Sequence, residues 1–424
     1  MTPRERVTLA LNHEEPDRVP IDLGSSVVTG IMVNAYAELR RALGVAGTPP
    51  KVTDLLQMLA EVEPAVQARL GCDVVGLFPL VRSFGIPNRD WKPWTTFDGT
   101  EVLVPGQFEY RVDENGDLLL SPGGDVTKRP RGRMPKNGYY FDIIPSQAPF
   151  EWDALDPGDF AEQFTRLTEE DLDHLSRTAD DLYRNTELAL LGGFGQGDLG
   201  NLPTVLAPHL EAPKGIRNFD DWMVAHLTHP EYLREIFHRQ TEQAIESLEL
   251  YRQAVGERIV AIFVSGTDFG TQRGEFISAD LYRDLYLPFH KRINEWVHGN
   301  TRWKTFYHCC GSVYALLPLF IEAGVDILNP VQCSAANMDA ARLKREFGDR
   351  LVFWGAGVDT QQTLPFGAPE EVRQQVAERI RALGPGGGYL FNAVHNIQAN
   401  TPVENILAMF EAAREYGRYP ISAD

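Results

Sequence analysis

The sequence predicts an α/β fold, a (β/α)8 TIM barrel carrying a β-rich insertion between its second and third strands. Three observations lead there. Eight short runs are dense in β-branched and aliphatic residues: Val19–Leu23, Asp73–Phe78, Glu187–Leu191, Ile259–Val264, Trp303–Tyr307, Val325–Leu328, Leu351–Trp354 and Gly388–Phe391. Each gives way to a loop and then to a helical pattern, the alternation that forces parallel pairing. A chain of 424 residues also suits one barrel with an insertion.

The later helices read most clearly: Ala279–Val297, Val313–Ala323, Asp339–Phe347, Pro369–Leu383 and Pro402–Tyr416. Thr401 before Pro402, with Glu404 in the first turn, is a start signal. Gly324, Gly384 and Gly417 stand just past helix ends, where a left-handed cap is expected. Between strands two and three lie residues 79–186, too many for a simple crossover. Glu101–Val104, Gln107–Val112 and Asp117–Leu120 read there as antiparallel strands turned by Pro105-Gly106 and Asn115-Gly116, and Tyr139-Tyr140-Phe141-Asp142 as a further one. The expectation is one barrel domain over 1–424 with 79–186 as an inserted cap at the catalytic face; a subdomain packed on the outside is the alternative.

Composition narrows the function. A formal charge of −19 argues against nucleic acid, whose phosphates require a basic surface. No apolar run is long enough to cross a bilayer, and residues 1–6 lack the apolar core of a secretory signal. Four cysteines do not make a disulfide framework, and adjacent Cys309 and Cys310 suit a reducing compartment. A cytoplasmic enzyme is expected.

Working residues of such a barrel stand at the C-terminal ends of the strands. Those ends offer Asp22 and Ser25 after strand one, Gly192-Gly193-Phe194-Gly195-Gln196-Gly197-Asp198 after strand three, and Ser265 and Asp268 after strand four. His308 and Cys310 follow strand five, Asn329 and Gln332 strand six, Asp359 strand seven, and Asn392, His395 and Gln398 strand eight. His308 and Cys310, two residues apart where the chain leaves a strand, are placed to clamp one metal, with His395 as a third ligand from across the mouth. Zinc takes imidazole and thiolate in such sets. A core histidine beside a buried cysteine is the plain alternative. Cys309 and Cys333 read as structural, with Cys333 in reserve as a ligand. Gly193 and Gly195 suit close approach of a phosphate or a large ligand, although the loop lacks the ending of a nucleotide P-loop, and a tight turn is the simpler reading. Trp91, Trp94, Phe141 and Tyr307 are candidates to stack on a flat ligand or to pack.

Longer motifs carry a resemblance. Gly324-Val325-Asp326-Ile327-Leu328-Asn329-Pro330-Val331-Gln332, Phe353-Trp354-Gly355-Ala356-Gly357-Val358-Asp359-Thr360-Gln361 and His395-Asn396-Ile397-Gln398-Ala399-Asn400-Thr401-Pro402-Val403-Glu404-Asn405 resemble the uroporphyrinogen decarboxylase superfamily. Arg4-Glu5-Arg6 through Pro16-Asp17-Arg18-Val19-Pro20 is similar as well. The resemblance runs the length of the chain, is densest beyond residue 255, and implies the same barrel. Haem-pathway decarboxylases carry an Arg-Gln-Ala-Gly-Arg segment near the N-terminus, where this chain has Ile21-Asp22-Leu23-Gly24-Ser25. Corrinoid-linked methyltransferases of the superfamily bind zinc through a His-x-Cys pair and a distant Cys. His308 and Cys310 match the pair, and His395 stands where the distant Cys falls; decarboxylases also carry a His there.

The resemblance therefore implies a zinc-dependent methyltransferase. It would move a methyl group between a small methylated compound, a methyl ether such as an aryl methyl ether, and a corrinoid (cobalamin) on a partner protein. The implied ligands are His308, Cys310 and His395. Asp268 or Glu275 would be a fourth ligand or a proton donor, with His395 the alternative acid or base. Asn329, Gln332, Gly193 and Gly195 would contact the cofactor. A homodimer is possible on family grounds. Two other classes stay open: a metal-free decarboxylase or lyase acting on a smaller acid through His395 and Asp268, and a non-catalytic tetrapyrrole- or corrinoid-binding barrel.

Overall fold

The computed structural model describes residues 1–164 and 166–422. Seven parallel strands form one curled sheet in sequential order: Val74–Leu77, Ala189–Gly193, Ile259–Ser265, Lys304–His308, Ile327–Asn329, Val352–Ala356 and Tyr389–Asn392. Each predicted run from the second to the eighth supplies one of them. The first run closes the barrel by single bridges instead of a ladder. Ile21 pairs with Phe391 on one side, and the Asp73 N–H donates to the Ile21 carbonyl on the other. Pro20 brings no N–H to this segment, and the Ile21 N–H is taken by the Asp73 side chain at 2.8 Å. That carboxylate also pairs with Arg6 at 2.6 Å and Arg18 at 2.7 Å, so the N-terminal basic motif works as a buried clasp.

Alternation along each strand sorts the side chains. Val74, Leu191, Phe263, Phe306, Ile327, Val352, Trp354 and Leu390 form one buried cluster inside the barrel, and Val7, Ala10 and Leu11 of helix Pro3–Leu11 join it. The outer faces pack under the helices in a second, larger cluster. Phe306, Ile327 and Leu390 point inward, so His308, Asn329 and Asn392, two residues on, share that face at the C-terminal rim.

Helix Pro369–Leu383 matches its expected bounds. The span 279–297 instead splits into Ala279–Leu285 and Leu287–Asn300, because Pro288 cannot donate into a continuous ladder. The span 313–323 becomes a tight turn, Tyr314–Leu316, followed by Leu317–Glu322, with Pro318 in its first turn. The last helix is Val403–Tyr416, capped by Pro402 and not by Thr401. Gly324 is left-handed, with φ of 80°, whereas Gly384 and Gly417 stay right-handed at −69° and −79°.

Between strands two and three, Lys92–Thr95 pairs with Glu101–Val104, and Tyr110–Val112, Leu118–Leu120, Gly132–Met134 and Asp142–Ile143 make a four-stranded antiparallel sheet. The strands expected from Gln107 and from Tyr139 start later, at Tyr110 and Asp142. Lys92–Thr95 and Gly132–Met134 are additions to the expected set. Helix Glu169–Asn185 returns the chain to the barrel.

Candidate active site

His308 ends the fifth barrel strand and is directly paired in register with Asn329 of the sixth. Both side chains are buried. The His308 Nδ1 lies 2.6 Å from Asn329 Oδ1, while Asn329 Nδ2 donates to the Trp354 carbonyl at 2.9 Å. That second bond fixes the amide so that its oxygen faces the ring. His308 Nδ1 therefore carries the proton, and Nε2 presents a lone pair to the cavity.

Cys310 reaches the same point because two loops touch backbone to backbone. A Cβ on Gly270 would stand 2.5 Å from the Cys310 carbonyl oxygen, and one on Gly311 would stand 2.5 Å from the Gly270 carbonyl carbon. Gly311 is left-handed, with φ of 84°. Only glycines permit this approach. It lets the Cys310 N–H donate to Asp268 Oδ1 at 2.6 Å and the Phe269 N–H donate to Cys309 Sγ at 3.2 Å. Cys310 Sγ lies 3.2 Å from His308 Nε2, and Asp268 Oδ1 3.9 Å from the same nitrogen.

His395 comes from beyond strand eight, and its ring centroid is 5.0 Å from that of His308. One ligand atom from each of His308, Cys310 and His395 falls within 4.8 Å of the others. His395 holds a left-handed backbone with φ of 68°, a strained state for a residue with a Cβ. Its Nδ1 accepts the Asn396 N–H at 2.7 Å, which places the ring proton on Nε2. The two imidazoles therefore present opposite tautomers toward the cavity.

Electrostatics fit a metal-binding set. Burial lowers His308 to about 4 and, with His308 beside it, His395 to about 3, so both rings are neutral at ordinary pH. Burial and the neighbouring Asp268 push the Cys310 thiol well up. Neutral imidazole is the ligating form, whereas the thiol must lose its proton to ligate. Asp268 itself is raised by desolvation; half of its side chain is exposed, but into a cavity crowded by protein atoms.

That cavity has a volume of about 950 Å³, and His308, His395 and Asp268 stand on its wall. Gly193, Gly195 and Ser25 line it as well. Other expectations need correction. Asn329 is fully buried and orients His308, so it cannot touch a cofactor. Gln332 accepts the Gly311 N–H at 2.9 Å and pins the cysteine loop. Glu275 accepts the Ala315 N–H at 2.8 Å, which turns it away to serve the turn after strand five. Trp94, Phe141 and Tyr307 pack within the protein; Tyr307 donates to Asn294 at 3.1 Å. Trp91 lies under Lys51 beside a second cavity. Cys333 joins no ligand cluster among the described residues.

Asp198, expected at the rim with the glycine-rich loop after strand three, accepts the Gly266 N–H and is raised by desolvation to about 7. One cavity residue escaped the strand-end reading. Arg82 comes from the inserted segment, where nothing in the sequence separates it from other surface arginines.

A barrel whose strand ends bring two imidazoles and a carboxylate to one cavity, with a thiol against one of the imidazoles, belongs to the TIM-barrel enzymes that work at their C-terminal rim. Within that class the chain belongs to the uroporphyrinogen decarboxylase family: the profile described as Uroporphyrinogen decarboxylase (URO-D) matches residues 172–416. It is 26% identical over 292 residues to the uroporphyrinogen decarboxylase of Trichodesmium erythraeum, covering 66% of this chain and 74% of that one. It is 23% identical over 287 residues to the chloroplastic uroporphyrinogen decarboxylase 2 of Oryza sativa, covering 66% and 67%. Among solved structures it is similar to a methyltransferase from Methanosarcina mazei, with a TM-score of 0.55, 16% identity, and coverage of 98% of this chain and 99% of that one. At that identity the likeness bears on the fold. No described helix is long and apolar enough to cross a membrane.

Proposed function

We propose that the chain is a zinc-dependent methyltransferase acting between a small methylated compound and a corrinoid carried by a partner protein, with methyl ethers, including aryl methyl ethers, as the donor class. The observation that carries this reading is the convergence of His308, Cys310 and His395 within 4.8 Å beside the cavity. Two nitrogens and a sulfur suit zinc, provided that His395 releases the Asn396 N–H so that a ring lone pair becomes free to ligate. Zinc, when bound there, would act as a Lewis acid toward the methyl-bearing oxygen or nitrogen.

The chain's own residues do the rest. Asn329 holds the His308 ring with its Nε2 lone pair outward. Phe263 and Phe269, both buried, line the cavity and would keep water from the reacting atoms. Loss of the methyl group as a cation leaves an electron pair on the donor's heteroatom. Asp268, held beside Cys310 and raised by desolvation, is placed to deliver the proton that neutralises it. Exposed Val81, Leu202, Phe219 and Phe276 surround the mouth and offer an apolar collar for a docking corrinoid domain. Residues 79–186 would act as a cap over that mouth, since Val81 through Gly85, Gln163 and Phe164 already line the cavity.

A specific observation favours one second reading. With Nδ1 accepting from Asn396, the neutral His395 presents its Nε2–H to the cavity as a hydrogen-bond donor, which a metal-free decarboxylase or lyase could use to hold an anionic oxygen of its substrate. Metal analysis and a transfer assay separate the two. Purified protein should hold stoichiometric zinc, and methoxylated aromatics should methylate free cob(I)alamin in its presence. Protein without stoichiometric zinc after metal loading, or activity indifferent to His308→Ala, would overturn the methyltransferase reading.

A further inference from the structure

The inserted segment places one arginine on the cavity wall with no hydrogen-bonding partner. Arg82 follows strand two, and its side chain stands between the cavity described above and a second one of about 700 Å³. Its Nε is buried and makes no hydrogen bond. The guanidinium carbon lies over the Phe78 ring, 3.7 Å from its centroid. The carboxylates whose fields reach it, Asp54 and Glu61, are already engaged. Asp54 accepts the Gln57 N–H at 2.8 Å and the Ser83 hydroxyl at 2.9 Å, and Glu61 pairs with Lys51 at 2.9 Å. Burial lowers Arg82 to about 10, which leaves it charged at neutral pH.

A half-buried guanidinium whose Nε is shut off from water without a partner is costly, and it offers a planar fork of donors matched to a two-oxygen anion. We propose that Arg82 binds a carboxylate of the substrate. Two features select a carboxylate over a phosphate. Arg82 is the only lysine or arginine among the described residues that line the main cavity, whereas Asp54, Asp198 and Asp268 share its wall. One cation among three acids suits a single negative charge and repels a dianion. The Phe78 face under the guanidinium and the aromatic wall beyond it favour a flat body on the same molecule. Taken with the methyl-donor reading above, on which this part rests, the substrate class is a methoxylated aromatic carboxylate.

The test is a binding titration on the full-length protein, with and without added zinc, read by the fluorescence of its tryptophans, of which Trp222 lines the cavity. The ligands are the ortho, meta and para methoxybenzoates, each against its neutral methoxybenzamide, with inorganic phosphate as competitor. At least one benzoate should bind roughly tenfold or more tightly than its amide, as a charge-assisted fork requires. Arg82→Gln should erase that preference and leave amide binding in place, and Arg82→Lys should recover part of it. Equal binding of acid and amide, no binding of either, or a preference that survives Arg82→Gln would overturn the assignment. Phosphate displacing the benzoate at equal concentration would overturn the choice of carboxylate. If Arg82→Gln does not fold, the wild-type ligand pairs and Arg82→Lys decide the matter. A preference seen in protein that holds no zinc would leave Arg82 assigned while the methyltransferase reading falls.

Discussion

The ends of strands five and eight each deliver one histidine to the same point, by opposite means. His308 sits on a regular strand, paired in register with Asn329, and its ring is locked by an amide that is itself locked to the Trp354 carbonyl. His395 sits in a loop, on a left-handed backbone, with its Nδ1 satisfied by the next residue's own N–H. The first is held by the sheet and a neighbouring side chain, so its tautomer is built into the fold. The second is held by local strain, so its role depends on what enters the cavity.

The largest effect should come from the strand-five pair. His308→Ala or Cys310→Ala should remove stoichiometric zinc and methyl transfer together, measured by elemental analysis and by methylation of cob(I)alamin. Retained zinc in either variant would end the case for a site anchored on strand five.

Next is the residue behind the ring. Asn329→Leu strips the partner from His308 Nδ1 and from the Trp354 carbonyl. Loss of such an outer partner weakens metal affinity by about 10–100-fold. Leaving two buried polar groups unsatisfied should also lower unfolding stability by about 1–3 kcal/mol for each. A chelator competition and a denaturant melt check the two parts separately. Unchanged zinc affinity would mean that register alone holds His308.

The pH dependence sharpens the comparison further. The pKa values of about 4 and 3 for His308 and His395 leave both rings unprotonated at neutral pH, and Cys310 is raised above the ordinary thiol value. Zinc uptake should therefore release one proton, from Cys310, and affinity should rise about tenfold per pH unit through neutrality. Cys310→Ser should flatten that slope. A slope near two would show that one imidazole is charged in the free protein.

His395→Cys tests the loop directly. If His395 is a ligand, the cysteine should keep zinc bound while altering turnover; if it is a hydrogen-bond donor to the substrate, zinc stays and turnover disappears. The smallest effect is on stability. His395→Gly relieves a left-handed backbone worth roughly 1–2 kcal/mol, and a melt should show a gain within that size. A loss instead would mean that contact with His308 outweighs the strain.

Much of the fold is legible in the sequence because period-two apolar runs and Pro or Gly punctuation are local signals. Seven of the eight expected runs form strands, the first closes the sheet by single bridges, and helix Pro369–Leu383 falls at its expected bounds. The split at Tyr286 is visible in principle, since Pro288 stands two residues on, but the apolar pattern runs across it. Lys92–Thr95 and Gly132–Met134 carry a proline and a glycine, and they are strands only because Glu101–Val104 and Leu118–Leu120 lie alongside. In the site, position and motif single out His308, Cys310 and His395, and the structure brings them together. Asn329 and Gln332 stand at the rim as expected but hold other residues in place instead of touching a ligand. Polar rim residues look alike in sequence until their hydrogen-bond partners are known.

The sequence by itself determined the barrel, its order of strands, and which residues stand at the rim, because those depend on alternation along single segments. Only the tertiary structure decided which rim residues face the cavity and in what protonation state. The touching glycines Gly270 and Gly311, the amide lock on His308, the strained turn at His395 and the unpartnered guanidinium of Arg82 all arise between segments distant in the chain or from the backbone path itself. Their energies come from burial and from the satisfaction of polar groups, which no single stretch of sequence contains.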